Sequence, residues 1–562
     1  MIRFLMIGIP LLVGFMAIGL PFCEAVVHGF DTDAWPPETV LPTTWFAHFV
    51  GSNVLEISRT FHRLATSTHP AFANGGAWVF WSLLPAWLVV AVLLASPKID
   101  RPWRDPATIF GGARFANPAE IAGMKNGIEI GHADDPDQIV RVEVEGNLLS
   151  IAPPRSGKTS GLIINNLLAQ DDNLSWNGSA IVIDPKGEVY KAVRKRRAHF
   201  GREIFVLDMR QGSKKSSQWN PLASADTNDV LGLMRVARAL IPEMSGESLY
   251  FRERAVSLLA GVIAAAVHEA KTEGRRASPA DVERLLNDEE ATLALVAGQD
   301  VPLLRSLARD LTLDERIRGS IISTAKLGTQ WLLDPYLRAL TEESTLNLEA
   351  VARGQADLFV IVPTEHFETI SPVLRWLLSD LFTAVRRLRK PDDRRILLLI
   401  DEAASLGGFS QLPVALGELP GLGLSIWTFW QSRSQIVKAY GEAGADLFGT
   451  TAEFSTFSDV GGLDTGSPEF FSKLLGDITV DVPGTSEQKA EGKSSFTSST
   501  GKQATRLVPP GDMSQFTDDR LILIPNSRRY ARRPVCLDKI RYFEESRFKG
   551  LATFIKPAGR KG

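Results

Sequence analysis

The sequence predicts an α/β fold built on a parallel sheet and preceded by two membrane-spanning helices. Three observations carry that expectation. Two uncharged runs of 19 residues, Phe4 to Phe22 and Ala77 to Ala95, lie near the start of the chain. A short apolar stretch, Asn147 to Ala152, leads into the loop Pro153-Pro154-Arg155-Ser156-Gly157-Lys158-Thr159. A second stretch, Ile396 to Ile400, is continuously apolar and ends on Asp401 and Glu402, as a strand buried on both faces of a parallel sheet would.

Length and composition bound the rest. A chain of 562 residues exceeds one ordinary core, so two or three domains are expected. With 44% hydrophobic and 23% charged residues it reads as folded. A net charge of -3 excludes a global nucleic-acid signature, so any such contact must come from local patches or an assembled surface. Cys23 and Cys536 stand too far apart in the chain for a disulfide framework or a metal cluster, and the histidines show no ligand spacing.

Each of the two uncharged runs can cross roughly 30 Å of hydrocarbon as a helix. Trp78 and Trp81 sit at one end of the second, where an interfacial belt belongs. Arg3 precedes the first span, and Lys98, Arg101 and Arg104 follow the second, which places both termini in the cytoplasm and the intervening loop outside. A cleaved signal peptide ending near Cys23-Glu24-Ala25 is the alternative for the first run, and a lipoprotein signal is a poorer one.

The loop after Asn147 to Ala152 is followed by a helical stretch, Gly161 to Gln170, and strand, loop, Gly-Lys-Thr, helix is the context that gives a phosphate-loop motif its meaning. Successive backbone N–H groups at the helix N-terminus, from Arg155 through Ser156, Gly157, Lys158, Thr159 and Ser160, would face the phosphates. The two prolines lie in the first half, where a missing N–H costs little, and Ala152 replaces the usual first glycine. Lys158 would reach the β- and γ-phosphates of ATP, and the Thr159 hydroxyl would ligate Mg²⁺.

Asp401 would hold the Mg²⁺ shell through water, and Glu402 would orient and polarise the attacking water. In "LSIWTFWQSRSQ" a further buried strand ends at Gln431, whose amide is placed to sense the γ-phosphate; the plainer alternative is a cap for the next helix. In "SAIVIDPKGEVYKAVRKRR" a strand ending at Asp184 precedes a helical stretch with Lys191, Arg194, Lys195, Arg196 and Arg197, either a DNA-facing patch or a solvated face. The stretch Pro483 to Arg506 reads as a mobile surface loop. The basic residues Arg528, Arg529, Arg532 and Arg533 form a partner surface or a solvated strand edge.

Taken in order, "GGARFANPAEI", the loop at Ala152 to Thr159, "IDPKGE", "WNPLA", "DEAASLG", "FWQSRSQIVKAYGEAGADLF", "FSKLLGDITV" and "CLDKIRYFEESRF" resemble the coupling ATPases of type IV secretion and conjugation, the TraG/TraD-like coupling proteins. The resemblance covers most of the chain. It implies a RecA-like P-loop NTPase domain with an inserted all-α domain, assembled as a homo-hexamer at the bacterial inner membrane with the ATPase in the cytoplasm. The expected division is a membrane domain over 1–97, nucleotide-binding parts over 98–222 and 336–562, and an all-α domain over 223–335. The separation of 243 positions from Lys158 to Asp401 gives that insertion room, and "RERAVSLLAGVIAAAVHEA" within it carries helical periodicity. The implied work is ATP hydrolysis that passes single-stranded DNA with its bound relaxase to the secretion channel components.

One departure from the family concerns a basic residue between the two central strands. Gly417 to Leu424 contains no Arg or Lys, which leaves Arg433 or the cluster from Arg386 to Arg395 as the source of any arginine finger. A receptor for protein effectors alone, a membrane scaffold with a weak nucleotide site and a chromosome-partitioning pump are the competing functions. Lys158, Thr159, Asp401 and Glu402 together argue against the scaffold.

Overall fold

Eleven strands form one mixed sheet, parallel over most of its width and antiparallel at one side. The computed structural model describes residues 108–168, 175–213, 215–244, 246, 248–390, 392–461, 466–490, 493–517 and 519–553. Both expected membrane spans, and the basic residues that would orient them, lie outside these.

The parallel part comprises β3 (Asn147–Ile151), β4 (Ser179–Asp184), β5 (Glu203–Asp208), β6 (Ala356–Ile361), β7 (Ile396–Ile400), β8 (Leu424–Trp430) and β9 (Ala452–Ser458). β1 (Ile128–His132), β2 (Ile139–Val142), β12 (Arg520–Pro525) and β13 (Val535–Asp538) continue it antiparallel beyond β9. A two-stranded sheet of β10 (Asp477–Ala490) and β11 (Lys493–Arg506) stands apart.

Strand β7 has all five side chains buried because both faces of the sheet are covered. Ile396, Leu398 and Ile400 enter one apolar core, and Leu397 and Leu399 the other, as the two-residue period of a strand requires. Fully burying each such side chain contributes about 1.5–3 kcal/mol.

Helix α1 (Glu188–His199) and the tail around Phe548 cover the second face. On the first face lie α2 (Val230–Leu240), α3 (Ser248–Thr272) and α4 (Phe367–Leu388). Between β5 and β6 the described residues form helices and no strand. Helix α3 is the single helix among the described residues long and apolar enough to cross a membrane, yet Ala255 to Val267 are almost entirely buried within the protein. It is the central helix of this layer, packed against Pro302–Leu311 and Glu315–Lys326.

Two expectations are corrected. The stretch expected as a mobile loop, Pro483 to Arg506, is mostly ladder: β10 and β11 pair continuously from Asp477 with Arg506 to Ala490 with Lys493. A hairpin satisfies its backbone N–H and C=O groups across the ladder, so low hydrophobicity does not keep it from forming. Arg197, expected with the exposed basic residues of α1, is wholly buried against Asp357 of β6, and only Lys191, Arg194 and Lys195 of that group are exposed.

Candidate active site

Strand β3 ends at Ile151 between β8 and β9, so the loop that follows emerges in the middle of the sheet's carboxyl edge, where ligands of open α/β sheets bind. Ala152 stays tied to the sheet through its N–H, which donates to the Trp430 carbonyl at 2.9 Å. Arg155 at φ 66 and Gly157 at φ 90 turn the chain through the left-handed region, the geometry that turns successive N–H groups inward as an anion nest. Arg155 carries a side chain through this turn, whereas Gly157 meets it without steric cost. Thr159–Ile163 then forms a π-type turn and Ile164–Leu167 an α-helical one.

The carboxyl tail braces this turn. The Tyr542 N–H donates to the Ser160 carbonyl at 3.3 Å, and the Ile540 carbonyl oxygen lies 2.4 Å from where a Cβ on Gly161 would stand. Glycine is therefore required at 161 by close approach. The sequence marked "CLDKIRYF" only as part of a family pattern; its proximity to the loop was not legible.

The side chains singled out from sequence converge. The Thr159 hydroxyl donates to Asp401 at 3.0 Å (Oδ2) and 3.2 Å (Oδ1). The Lys158 ammonium donates to the Ala152 carbonyl at 2.7 Å, folding back over its own loop. Burial pushes the Lys158 ammonium down from its ordinary value, opposed by the charges of Glu402 and Asp401. Burial, reinforced by the nearby Asp184 charge, pushes the Asp401 carboxyl up to about 7. Asp184, itself buried and accepting the N–H groups of Gly187 and Tyr190, was noted in the sequence at a strand end but not as part of the site. The signal was a carboxylate closing the strand next to β7.

Glu402 caps the short 3₁₀ turn Ala403–Leu406. Its Oε2 accepts from the Gln431 amide at 2.8 Å, while Oε1 is buried without a partner among the described residues. The Gln431 backbone N–H donates to the Gln435 side-chain Oε1 at 2.8 Å, just past the end of β8. The Ser160 hydroxyl donates to the Gly157 carbonyl at 3.1 Å, and the Ser156 hydroxyl is buried and unpartnered among the described residues.

The donor set fits a nucleotide with a divalent cation. A hydroxyl and a carboxylate in contact at a strand end suit a hard cation that shares its shell with phosphates and water. The nest and Lys158 suit the phosphates, and Glu402 Oε1, buried without a partner among the described residues, leaves an acceptor open to a ligand's polar group.

Arg433 and four arginines of the expected cluster are engaged within the protein, whereas Arg394 of that cluster is exposed. Arg433 pairs with Glu442 at 2.8 Å and Asp446 at 3.1 Å and lies 4.5 Å over the Phe470 ring. Arg386 pairs with Glu418 and Arg387 with Glu349, while Arg389 and Arg395 donate to backbone carbonyls.

Comparison with known proteins places this arrangement. Residues 121–558 match the family model described as Type IV secretory system Conjugative DNA transfer. The chain is 27% identical to the conjugal transfer protein TraG of Escherichia coli over 373 residues, covering 59% of this chain and 57% of that protein. It is 23% identical to the type IV secretion system-coupling protein VirD4 of Bartonella quintana over 483 residues, covering 78% of this chain and 74% of that protein. The match to TraG thus spans little more than half of that relative. Among solved structures, the plasmid coupling protein TrwB in complex with a non-hydrolysable ATP analogue superposes with a TM-score of 0.57 at 16% identity, covering 79% of this chain and 96% of that one. TrwB with ADP and Mg²⁺ superposes with a TM-score of 0.55 at 15% identity, covering 79% and 97%. The α/β NTPase fold is common to all three.

Proposed function

Because this chain belongs to the family of type IV secretory system conjugative DNA transfer proteins, we propose that it is a coupling ATPase, which recruits relaxase-bound single-stranded DNA and drives it toward a secretion channel. The observation that carries this reading is the convergence of Lys158, Thr159, Asp401, Glu402 and Gln431 at one carboxyl edge of the sheet. The whole assembly proposed is a homo-hexamer at the bacterial inner membrane, anchored by two spans over about 4–22 and 77–95, with 223–335 as its all-α domain.

In the proposed reaction the N–H groups from Arg155 to Ser160 hold the phosphates of ATP, and Lys158 leaves the Ala152 carbonyl to pair with them. Thr159 and Asp401 would hold Mg²⁺, which neutralises charge on the phosphates. Glu402 accepts the proton of the attacking water, and Gln431 holds the Glu402 carboxylate in the orientation that leaves one oxygen open to it.

Cation binding requires the Asp401 carboxylate to be ionised, and in the ligand-free protein its pKa is about 7. Binding below that pH therefore releases a proton. Affinity for the Mg²⁺–nucleotide complex is expected to rise with pH through about 7 and then level off. Asp401→Asn should lack that rise, measured by titration between about pH 6 and about pH 8. Equal pH profiles for the two proteins would remove Asp401 from the cation shell.

The function itself is tested by ATP turnover of the purified chain with and without single-stranded DNA, across a dilution series. Stimulation by DNA, weakening steeply with salt as phosphates release counterions, and activity per chain that rises with concentration are the expected results. Turnover indifferent to DNA would favour a receptor for protein effectors. Activity per chain that stays constant on dilution would count against a site completed by a neighbour.

A further inference from the structure

Arg375 lies on α4, outside every segment assigned a role above, and its guanidinium is buried: the residue is 4% exposed. Among the described residues no carboxylate pairs with it within 4.0 Å, and the Glu243 charge acts on it only at longer range. Its donors go instead to backbone oxygens of two other segments. Nε donates to the Ala239 carbonyl at 2.7 Å and Nη2 to the Leu240 carbonyl at 3.1 Å. Nη1 donates to the Leu406 carbonyl at 3.2 Å and reaches the Ser371 hydroxyl at 3.5 Å.

These acceptors differ in kind. Ala239 and Leu240 end α2, whose last carbonyls have no partner within the helix, and a cation is favoured at that negative pole. Leu406 ends the 3₁₀ turn Ala403–Leu406, whose N-cap is Glu402. That turn is only four residues long, and the carbonyl of its cap, Glu402, is already held by the Ser405 N–H at 3.1 Å and hydroxyl at 2.6 Å. A rigid turn gripped at its far end transmits displacement to its near end.

A capped helix end alone does not require a buried charge, which is costly to desolvate; a C-terminal glycine serves at lower cost. What the five fixed donors of a guanidinium add is simultaneous hold on two elements in a defined relation. The second face of the turn repeats the link. A methyl on Gly408 would stand 3.3 Å from the Glu243 side chain and 3.3 Å from the Ala439 carbonyl. Glu243 follows α2 and pairs with Arg252 of α3 at 2.9 Å.

We infer that Arg375 is a positioning residue, which ties the turn bearing Glu402 to the carboxyl end of α2 and so makes turnover depend on how the helical layer sits against the sheet. The inference rests on the ATPase reading and adds to it a route from the helical layer to the water-activating carboxylate.

The test uses the full-length chain in detergent. Arg375→Lys keeps the charge but cannot span both elements, and it is expected to lower kcat on the order of 10–100-fold. Nucleotide affinity should stay within about twofold, because the loop and Lys158 are untouched. In a Glu402→Gln background the same substitution should leave the residual turnover within about twofold, since the group it positions is gone. Gly408→Ala crowds the segment after the same turn against Glu243 and Ala439 while sparing Arg375, so it serves if Arg375→Lys fails to fold, and should show the same pattern. An equal fractional loss in both backgrounds, or a loss of nucleotide affinity that parallels kcat, overturns the inference. Wild-type chain without turnover overturns the ATPase reading instead, so the two failures are distinguishable.

Discussion

Glu402→Gln is expected to bind ATP about as well as the wild type and to hydrolyse it roughly 10²–10⁴-fold more slowly, the usual cost of losing a positioned base. The substitution is nearly isosteric, and Glu402 makes its side-chain hydrogen bond through Oε2, with Gln431. The open Oε1, buried and unpartnered among the described residues, is where the proton of water would go. An amide cannot take that proton. Lys158→Ala should behave differently, because the ammonium acts on the phosphates in the ground state: affinity and turnover should fall together. Nucleotide affinity and single-turnover rate on each purified variant separate the two. Glu402→Gln hydrolysing at the wild-type rate would show that another group activates the water. Lys158→Ala still supporting transfer in cells would identify a scaffold.

Asp357→Ala is expected to cost about 3–5 kcal/mol of stability, because it leaves the Arg197 charge buried and uncompensated. Both side chains are 0% exposed. Arg197 Nε donates to Asp357 Oδ2 at 2.7 Å and Nη2 to Oδ1 at 2.9 Å, while Nη1 donates to the Trp176 carbonyl at 3.0 Å. Asp357 Oδ1 also accepts the Ala180 N–H at 2.9 Å, so the carboxylate links α1, β4 and β6. Net stabilities of domains are about 5–15 kcal/mol, so the loss is a large share of the total. Asp357→Asn, which keeps shape and one acceptor but drops the charge, should fall between. Urea unfolding of the three proteins checks this, and a midpoint for Asp357→Ala within error of wild type would show that water reaches Arg197.

How much was legible follows from the range of each interaction. The strands at Asn147, Ser179, Ile396 and Leu424 could be read because burial on both faces leaves a mostly apolar run, unbroken in Ile396 to Ile400, which is a local property. Lys158 and Thr159, adjacent to each other, and Asp401 and Glu402, likewise adjacent, each announce their chemistry within a few positions. Their meeting across the sheet was an expectation that the register of β3, β8 and β7 makes concrete. The hairpin of β10 and β11 escaped because its ladder is formed by the backbone, whose pairing no side-chain pattern announces.

Sequence by itself determined the α/β alternation, the phosphate loop, the acidic strand end and the family to which they belong. Tertiary structure alone decided which charges are spent inside the protein. Arg197 and Lys191 look alike in one basic stretch, yet one is sealed against Asp357 and the other faces solvent. Arg375, in an apolar helix with nothing to single it out, reaches carbonyls 136 and 31 positions away. The physical reason is that a guanidinium's partners are set by which helix ends and turns the fold brings within 3 Å or so, and backbone carbonyls carry no sequence signature at all.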